Sequence, residues 1–312
     1  MNRFSAAAHR SAIRSMNRVV TETTEPTPQK RALAAIINQL SEGDVLVLTG
    51  AGVSTGSGIP DYRGPNGSLG RHRPMTYQEF RYDETALQRY WARSFIGWRY
   101  INSAQPNQVH YALAALQQQG FLSSVVTQNV DGLHQAAGTK DVLALHGDLA
   151  KVVCLNCGAK EDRADFDHRM DQENPGYLAS ITVDREHINP DGDIALSASD
   201  VKRFLLSGCR ECGSKLMKPD VVYFGENIPV ERKQRLAEAL NNCRSVLVVG
   251  SSLAVMSGMK VVIDAKQQHK TVSVINGGPG RADDRVDILW RTQLEPAFAL
   301  IQQGLDSYSD NL

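Results

Sequence analysis

Four short runs of aliphatic and β-branched residues constrain this 312-residue chain more than any other feature. They are Val45-Leu46-Val47-Leu48, Ser124-Val125-Val126, Val246-Leu247-Val248-Val249 and Val272-Ser273-Val274-Ile275. Each is apolar nearly throughout instead of alternating with polar residues, the pattern of a strand covered on both faces. Between the runs lie helical patterns at Glu84 to Ile101, Gln108 to Gln119 and Glu231 to Leu240. Ahead of the first run, Leu33, Ile36, Ile37 and Leu40 fall at i, i+3, i+4 and i+7, with Pro28 suited to a first helical turn. Strands alternating with helices predict an α/β fold, a Rossmann-like doubly wound parallel sheet. The alternation stops between Lys151 and Leu216, a stretch rich in turn formers and acids. Residues 151–216 are therefore expected as a smaller inserted lobe, and residues 29–150 and 217–312 as the sheet domain. No internal repeat or low-complexity tract interrupts this scheme.

The inserted stretch carries Cys154-x-x-Cys157 and Cys209-x-x-Cys212, each pair followed by a glycine, Gly158 or Gly213. Two such pairs complete a tetrahedral zinc site, and the 50-odd residues between them are simply a long loop between ligand pairs. An all-cysteine set leaves no open position for water, so the expected Zn²⁺ is structural. Cys243 stands apart and is expected as a buried core thiol. Five cysteines in this length do not make a disulfide scaffold.

Composition excludes other classes. Lys and Arg number 34, as do Asp and Glu, so the net charge is zero and bulk charge gives no reason to expect nucleic acid as a partner. No stretch approaches the roughly 20 apolar residues of a membrane span; the uncharged run Ser245 to Met259 is short and broken by Gly and Ser. Residues 1–28 are expected as a basic tail or leader, because Arg3, Arg10, Arg14 and Arg18 all precede the first acid, Glu22. Three explanations stand open: a mitochondrial transit peptide over residues 1–21, a disordered tail, or a start upstream of a true initiator at Met16. The expected location is cytoplasmic, or the mitochondrial matrix if the transit peptide is real.

Polar, glycine-rich segments follow the strand runs, where a parallel sheet places its ligand crevice. After the first comes Thr49-Gly50-Ala51-Gly52-Val53-Ser54-Thr55-Gly56-Ser57-Gly58-Ile59-Pro60-Asp61-Tyr62-Arg63. Its glycines admit a pyrophosphate, but Thr55 replaces the third glycine of the dehydrogenase fingerprint and no acidic residue sits on a strand end about 20 residues on. A dinucleotide fits; hydride transfer is not indicated. After the second run comes Thr127-Gln128-Asn129-Val130-Asp131-Gly132-Leu133-His134, then His146-Gly147, where His146 is favoured as a general base over a structural histidine. Pro219-Asp220-Val221-Val222-Tyr223-Phe224-Gly225-Glu226, Gly250-Ser251-Ser252-Leu253 and Asn276-Gly277-Gly278 complete the set.

Together, in this order from about Ile36 to Ile301, these segments resemble the sirtuin family of NAD-dependent protein deacylases. Arg89-Tyr90-Trp91-Ala92-Arg93, Thr127-Gln128-Asn129-Val130-Asp131 and Pro190-Asp191-Gly192-Asp193 resemble its class II, the group containing the fourth human, mitochondrial member. The resemblance implies NAD as cofactor and acylated-lysine proteins as partners, meeting between the two lobes. It implies NAD contacts at Gly50, Ala51, Gly52, Ser54, Asp61, Tyr62, Arg63, Gln128, Asn129, Asp131, Gly250, Ser251, Ser252, Asn276 and Leu294, with Asn129 and Asp131 also catalytic. Val222, Phe224, Gly225 and Leu253 are implied for the acyl-lysine and its peptide, which joins as an added strand. The implied chemistry attaches the acyl oxygen to the ribose of NAD with loss of nicotinamide, after which His146 deprotonates a ribose hydroxyl. Lysine, nicotinamide and O-acyl-ADP-ribose result. Alternatives are mono-ADP-ribosyl transfer to protein from the same NAD site, and a non-catalytic NAD sensor. Tyr90 and Arg93, three apart on one predicted helix face, are either a reader of acidic acyl groups or structural. The insert Gly158 to Gly208 holds 11 acids against six Lys or Arg and is expected to shape the acyl channel.

Overall fold

The computed structural model describes residues 3–65, 67–70, 73–182 and 189–309. The segment 183–188 of the acidic insert, and the first two residues of the expected leader, lie outside the described residues.

Strands β1 (Val45–Thr49), β2 (Leu122–Thr127), β3 (Leu143–Ala144), β7 (Ser245–Val249), β8 (Val272–Asn276) and β9 (Ile288–Arg291) form one parallel sheet in the order β3-β2-β1-β7-β8-β9. All four expected strand runs are in it. Alternate residues of the same strand serve opposite faces. Val45, Val47, Leu247 and Val249 pack with α2 (Gln29–Ser41), α5 (Gln108–Gln118) and α11 (Leu294–Ser309). Leu46, Leu48, Val246 and Val248 pack with α9 (Val230–Asn242) and α10 (Met256–Gln267). Burial on both faces is why these runs are continuous in hydrophobicity. Pro28 caps α2, where its missing N–H costs nothing. Cys243 lies buried in the second of these cores, just beyond the end of α9.

Strands β4 (Gly147–Cys154), β5 (Lys160–Asp162) and β6 (Met217–Val221) form a separate antiparallel sheet, β5-β4-β6. Its core draws on α7 (Arg163–Glu173) and α8 (Ala198–Arg203), and also on α3 (Tyr77–Tyr82) and α4 (Glu84–Ser103). Phe80, Trp91 and Phe95 pack there with Phe166, Met170 and Phe204, and the Trp91 indole donates to the Met217 carbonyl at 2.8 Å. The smaller core therefore takes in a helical pair, Tyr77 to Ser103, from far outside the cysteine-rich insert.

The basic segment at the start is folded. Helix α1 (Arg3–Met16) buries Ala12 and Met16, both 3% exposed, which an unstructured tail does not do. The remaining element, α6 (Leu133–Ala136), follows β2.

Candidate active site

The carboxyl ends of β1, β2, β7 and β8 open into one cleft of about 1830 Å³. That exceeds the roughly 300–1,000 Å³ of a pocket for one small ligand, leaving space for two. Every residue expected to touch dinucleotide or peptide lines it: the Gly50 to Arg63 loop, Gln128, Asn129, Asp131, His146, Val222, Phe224, Gly225, Gly250 to Leu253, Asn276 and Leu294.

The glycine loop is tight because β1 and β7 end against each other. The Gly52 amide donates to the Gly250 carbonyl at 2.9 Å, and Gly250 turns with φ +62°. A Cβ on Gly52 would stand 2.9 Å from that carbonyl oxygen, and one on Gly50 2.7 Å from the Ser251 Cβ. The obstacle to Gly52 is backbone, which cannot swing aside. Gly52→Ala is expected to cost about 1–3 kcal/mol in denaturant unfolding; unchanged stability would mean the loop shifts freely. Asn107, missed in the sequence because it reads as an ordinary helix cap, donates to Val53 O (2.8 Å) and Ser57 Oγ (3.0 Å) and pins the loop from below.

Gln128, Asn129 and Asp131 are tied to the same loop. Gln128 Nε2 donates to Ser251 Oγ at 2.8 Å and Asn129 Nδ2 to Gly50 O at 3.1 Å. Ser54 Oγ donates to Asp131 Oδ2 at 2.7 Å, and the other Asp131 oxygen accepts from the Leu133 amide at 3.0 Å. A short αL turn at Gly132 lets Asp131 make both contacts. Asn276 Nδ2 donates to Gly278 O at 2.6 Å, holding the loop after β8.

His146 stands between the two sheets. Its Nδ1 lies 3.0 Å from the Gln128 carbonyl, which can only accept, so Nδ1 carries the proton. Nε2 is then the acceptor, and it meets Ser257 Oγ at 2.7 Å. Burial pushes the imidazole pKa down to about 4, the Gln128 contact partly opposing and the Arg232 charge adding to the fall. His146 is neutral at pH 7, with a lone pair on Nε2. Ser257 was missed in the sequence; its only signal is its place just after the polar segment that follows β7.

Beneath the cleft, His134 Nε2 lies 2.9 Å from Thr49 Oγ1, which donates to Thr127 Oγ1 at 2.8 Å; that oxygen also receives the Asn129 amide. The His110 ring is 4.9 Å from that of His134. Burial pushes His134 down to about 3, His110 adding to it, and burial likewise pushes His110 well below its ordinary value. Three histidines thus have folded pKa values below the unfolded 6.5. Their contribution to stability is complete above pH 6.5 and is lost as pH falls toward 4, because the unfolded chain takes up protons the native chain refuses. Each adds up to about 1.4 kcal/mol per pH unit in that window. Chemical denaturation at stepped pH is expected to show stability falling steadily below pH 6.5; a flat profile to pH 4.5 would refute this.

On the side formed by residues 222–225, the Val222 amide donates to the His146 carbonyl at 2.7 Å, and Phe224 bridges to Thr76. Gln78 Nε2 donates to Gly225 O at 3.0 Å. Helix α1 and the residues after it close this side: Ser11, Ala12 and Ser15 to Val20 line the cleft beside Gly225, and His9 Nδ1 meets Thr76 Oγ1 at 3.0 Å. Arg63, implied as an NAD contact, donates to Ser15 O (3.3 Å) and Met16 O (3.4 Å) at the end of α1. Of the Tyr90–Arg93 pair, Tyr90 lines the cleft and Arg93 does not; Arg93 reaches Asp193 at 3.6 Å.

The four expected metal ligands meet away from the cleft. Their sulfurs all lie within 4.8 Å of one another, with Cys154 to Cys212 at 3.7 Å and Cys157 to Cys209 at 3.6 Å. A tetrahedron of Zn–S bonds of about 2.3 Å has edges of about 3.8 Å, so the donor set fits zinc. Both pairs use the same turn, in which the glycine after the second cysteine donates to the carbonyl of the first at 2.9 Å.

Comparison with known proteins gives a consistent result. Residues 50–257 match the model of the Sir2 family. The chain is 59% identical over 275 residues to NAD-dependent protein deacetylase 1 of Corynebacterium efficiens, covering 88% of this chain and 98% of that protein. It is 47% identical over 278 residues to NAD-dependent protein deacetylase 1 of Streptomyces coelicolor, covering 89% and 91%. A solved Sir2 complex with a p53 peptide and NAD⁺ superposes at a TM-score of 0.68, with 27% identity over 87% of this chain and 98% of that one.

Proposed function

Because the chain belongs to the Sir2 family, we propose that it removes acyl groups from protein lysines with NAD as co-substrate, using His146 as general base. That it is an NAD-dependent protein deacetylase follows from its relatives; the division of labour within the cleft is our own. The observation that carries it is His146, whose Nδ1–H is spent on the Gln128 carbonyl and whose Nε2 is left able to accept a proton inside the cleft.

NAD supplies an activated ribose to which the acyl group passes as nicotinamide leaves. Gly50, Ala51, Gly52 and Ser54, with Gly250, Ser251 and Ser252 facing them, hold its phosphates, supported by the close approach that only glycine permits. Gln128 and Asn129 address the ribose next to nicotinamide and Asp131 the carboxamide. Asn276 and Leu294 stand at the adenosine end, and Asp61, Tyr62 and Arg63 cover the cofactor. Val222, Phe224, Gly225 and Leu253 receive the lysine and its peptide. His146 takes the proton from a ribose hydroxyl, with Ser257 orienting Nε2. The cysteine cluster holds one zinc, which shapes the small lobe and takes no part in proton transfer.

The Arg89 to Arg93 and Pro190 to Asp193 segments support placement in class II of the family. The bacterial relatives support a cytoplasmic location, and packing of α1 against the cleft is unlike a leader that is cut away. Among the described residues no helix is long and apolar enough to cross a membrane. We assign the inserted lobe to about residues 151–216, where the strand–helix alternation of the sequence breaks, with the flanking ends of β4 and β6 and helices α3 and α4 packing onto it.

Labelled NAD with an acetyl-lysine peptide tests the reading. Nicotinamide release that depends on the acyl peptide, with label leaving as a small acylated ADP-ribose, is the expected result. Label held covalently on protein would point instead to ADP-ribosyl transfer, and binding without turnover to a sensor.

A further inference from the structure

The long acidic insert returns to the cleft at one turn. In residues 189–193 the Asn189 amide donates to Asp193 O at 2.9 Å and the Gly192 amide to Asn189 O at 2.9 Å. Gly192 has φ +71° and sits against α4, where a Cβ on Gly97 would stand 2.3 Å from the Gly192 carbonyl oxygen. One turn earlier on α4, Arg93 pairs with Asp193 at 3.6 Å, the two side chains only 17% and 4% exposed. This attachment sets Pro190 and Asp191 in the cleft lining, along with Tyr62, Tyr90 and Tyr223. The rings of Tyr90 and Tyr223 lie 5.6 Å apart. Burial raises all three phenol pKa values, Tyr90 to about 12, and the Asp191 charge raises each of them further, so the three hydroxyls stay protonated.

Resting on the deacylation reading above, we propose that Asp191 is a specificity-determining residue. Its carboxylate makes the tyrosine-lined end of the cleft accept uncharged acyl groups and reject those ending in a carboxylate. Arg93 is a positioning residue that holds the turn through Asp193. A second anion beside Asp191, in a half-enclosed site, meets like-charge repulsion that an uncharged group of equal size avoids. The opposite specificity, with Arg93 reading an acidic acyl group, needs that guanidinium at the cleft wall, whereas it lies behind the wall on Asp193.

The test uses the full chain, NAD and three peptides of one sequence, carrying acetyl-lysine, glutaryl-lysine or the uncharged carboxamide analogue of glutaryl-lysine. The carboxamide matches glutaryl in size, so their kcat/KM ratio isolates charge. Wild type is expected to favour the carboxamide tenfold or more. Asp191→Asn is expected to shrink that ratio at least tenfold, with Asp191→Ser giving the same result should the first variant be unstable, and Asp191→Glu retaining the preference. Arg93→Met is expected to shrink it also, with Arg93→Lys restoring it, which a merely structural arginine would not do. A wild-type ratio near one overturns the inference, as does a ratio unchanged in Asp191→Asn while acetyl-lysine is still processed. Wild type that turns over none of the three peptides sinks the deacylation reading itself.

Discussion

Replacement of His146 by Ala is expected to lower acyl-peptide turnover by about 10²–10⁴-fold, the usual worth of a positioned general base. The expectation rests on tautomer geometry: a carbonyl acceptor on Nδ1 obliges Nε2 to be the unprotonated, basic nitrogen, and Ser257 keeps it aimed. The folded pKa of about 4 adds a pH signature. Since the imidazole is already neutral through the physiological range, the base is available from about pH 5 upward, and activity should not rise with a midpoint near 6.5 as an exposed histidine would make it. Steady-state rates of nicotinamide release for both proteins, with stability checked in parallel, decide the matter. Undiminished turnover in His146→Ala would remove the residue from the mechanism.

Cys154→Ala is expected to empty the cysteine cluster and melt the small lobe. Structural zinc is worth about 10–16 kcal/mol in isolated zinc-finger peptides near neutral pH, far above the stability of an ordinary domain. Cys154 ends β4, and Cys209 and Cys212 precede β6, so the ion would tie two of the three strands of the small sheet together. Strand β6 then runs on into Val222, whose amide holds the His146 carbonyl at 2.7 Å. Loss of the metal therefore reaches the active site through backbone, although zinc does no chemistry there. Metal analysis should show less than a tenth of the wild-type zinc, thermal unfolding should begin well below wild type, and activity should fall with it. A Cys154→Ala protein with full zinc and an unchanged melting curve would refute the ligand assignment.

Much of this was legible before folding. Strands β1, β2, β7 and β8 announce themselves because their central residues are covered on both faces and are mostly aliphatic, the few buried polar groups such as Thr49 and Ser273 being hydrogen-bonded. The short edge strands β3 and β9 do not: Leu143–Ala144 is two residues long, and Ile288–Arg291 is half polar at its ends. The zinc ligands were readable because chelation needs two thiolates two residues apart, a local requirement. The strand-end motifs were readable because a parallel sheet sends all of them to one crevice, and they do line one cleft.

Partners distant in sequence were not readable. Tyr77 to Ser103 looked like part of the sheet domain but pack into the small core, because an amphipathic helix does not state which apolar surface it will meet. Ser257 is 111 positions from the histidine it contacts. Arg93 and Tyr90 share a helix face in the sequence, yet the insert turn captures the charge of one and leaves the other in the cleft. The basic opening segment, composed like a leader, folds as α1 over the side formed by residues 222–225, because burial of Ala12 and Met16 depends on a groove built by residues far downstream. By itself, then, the sequence determined the layered sheet, the cysteine set and the polar segments that line the cleft, all of which follow from short-range periodicity and spacing. The hydrogen-bond partners of His146, the allegiance of each helix and the place of Asp191 in the cleft wall were decided only by tertiary structure, since each is a contact between surfaces that exist only after the chain has closed on itself.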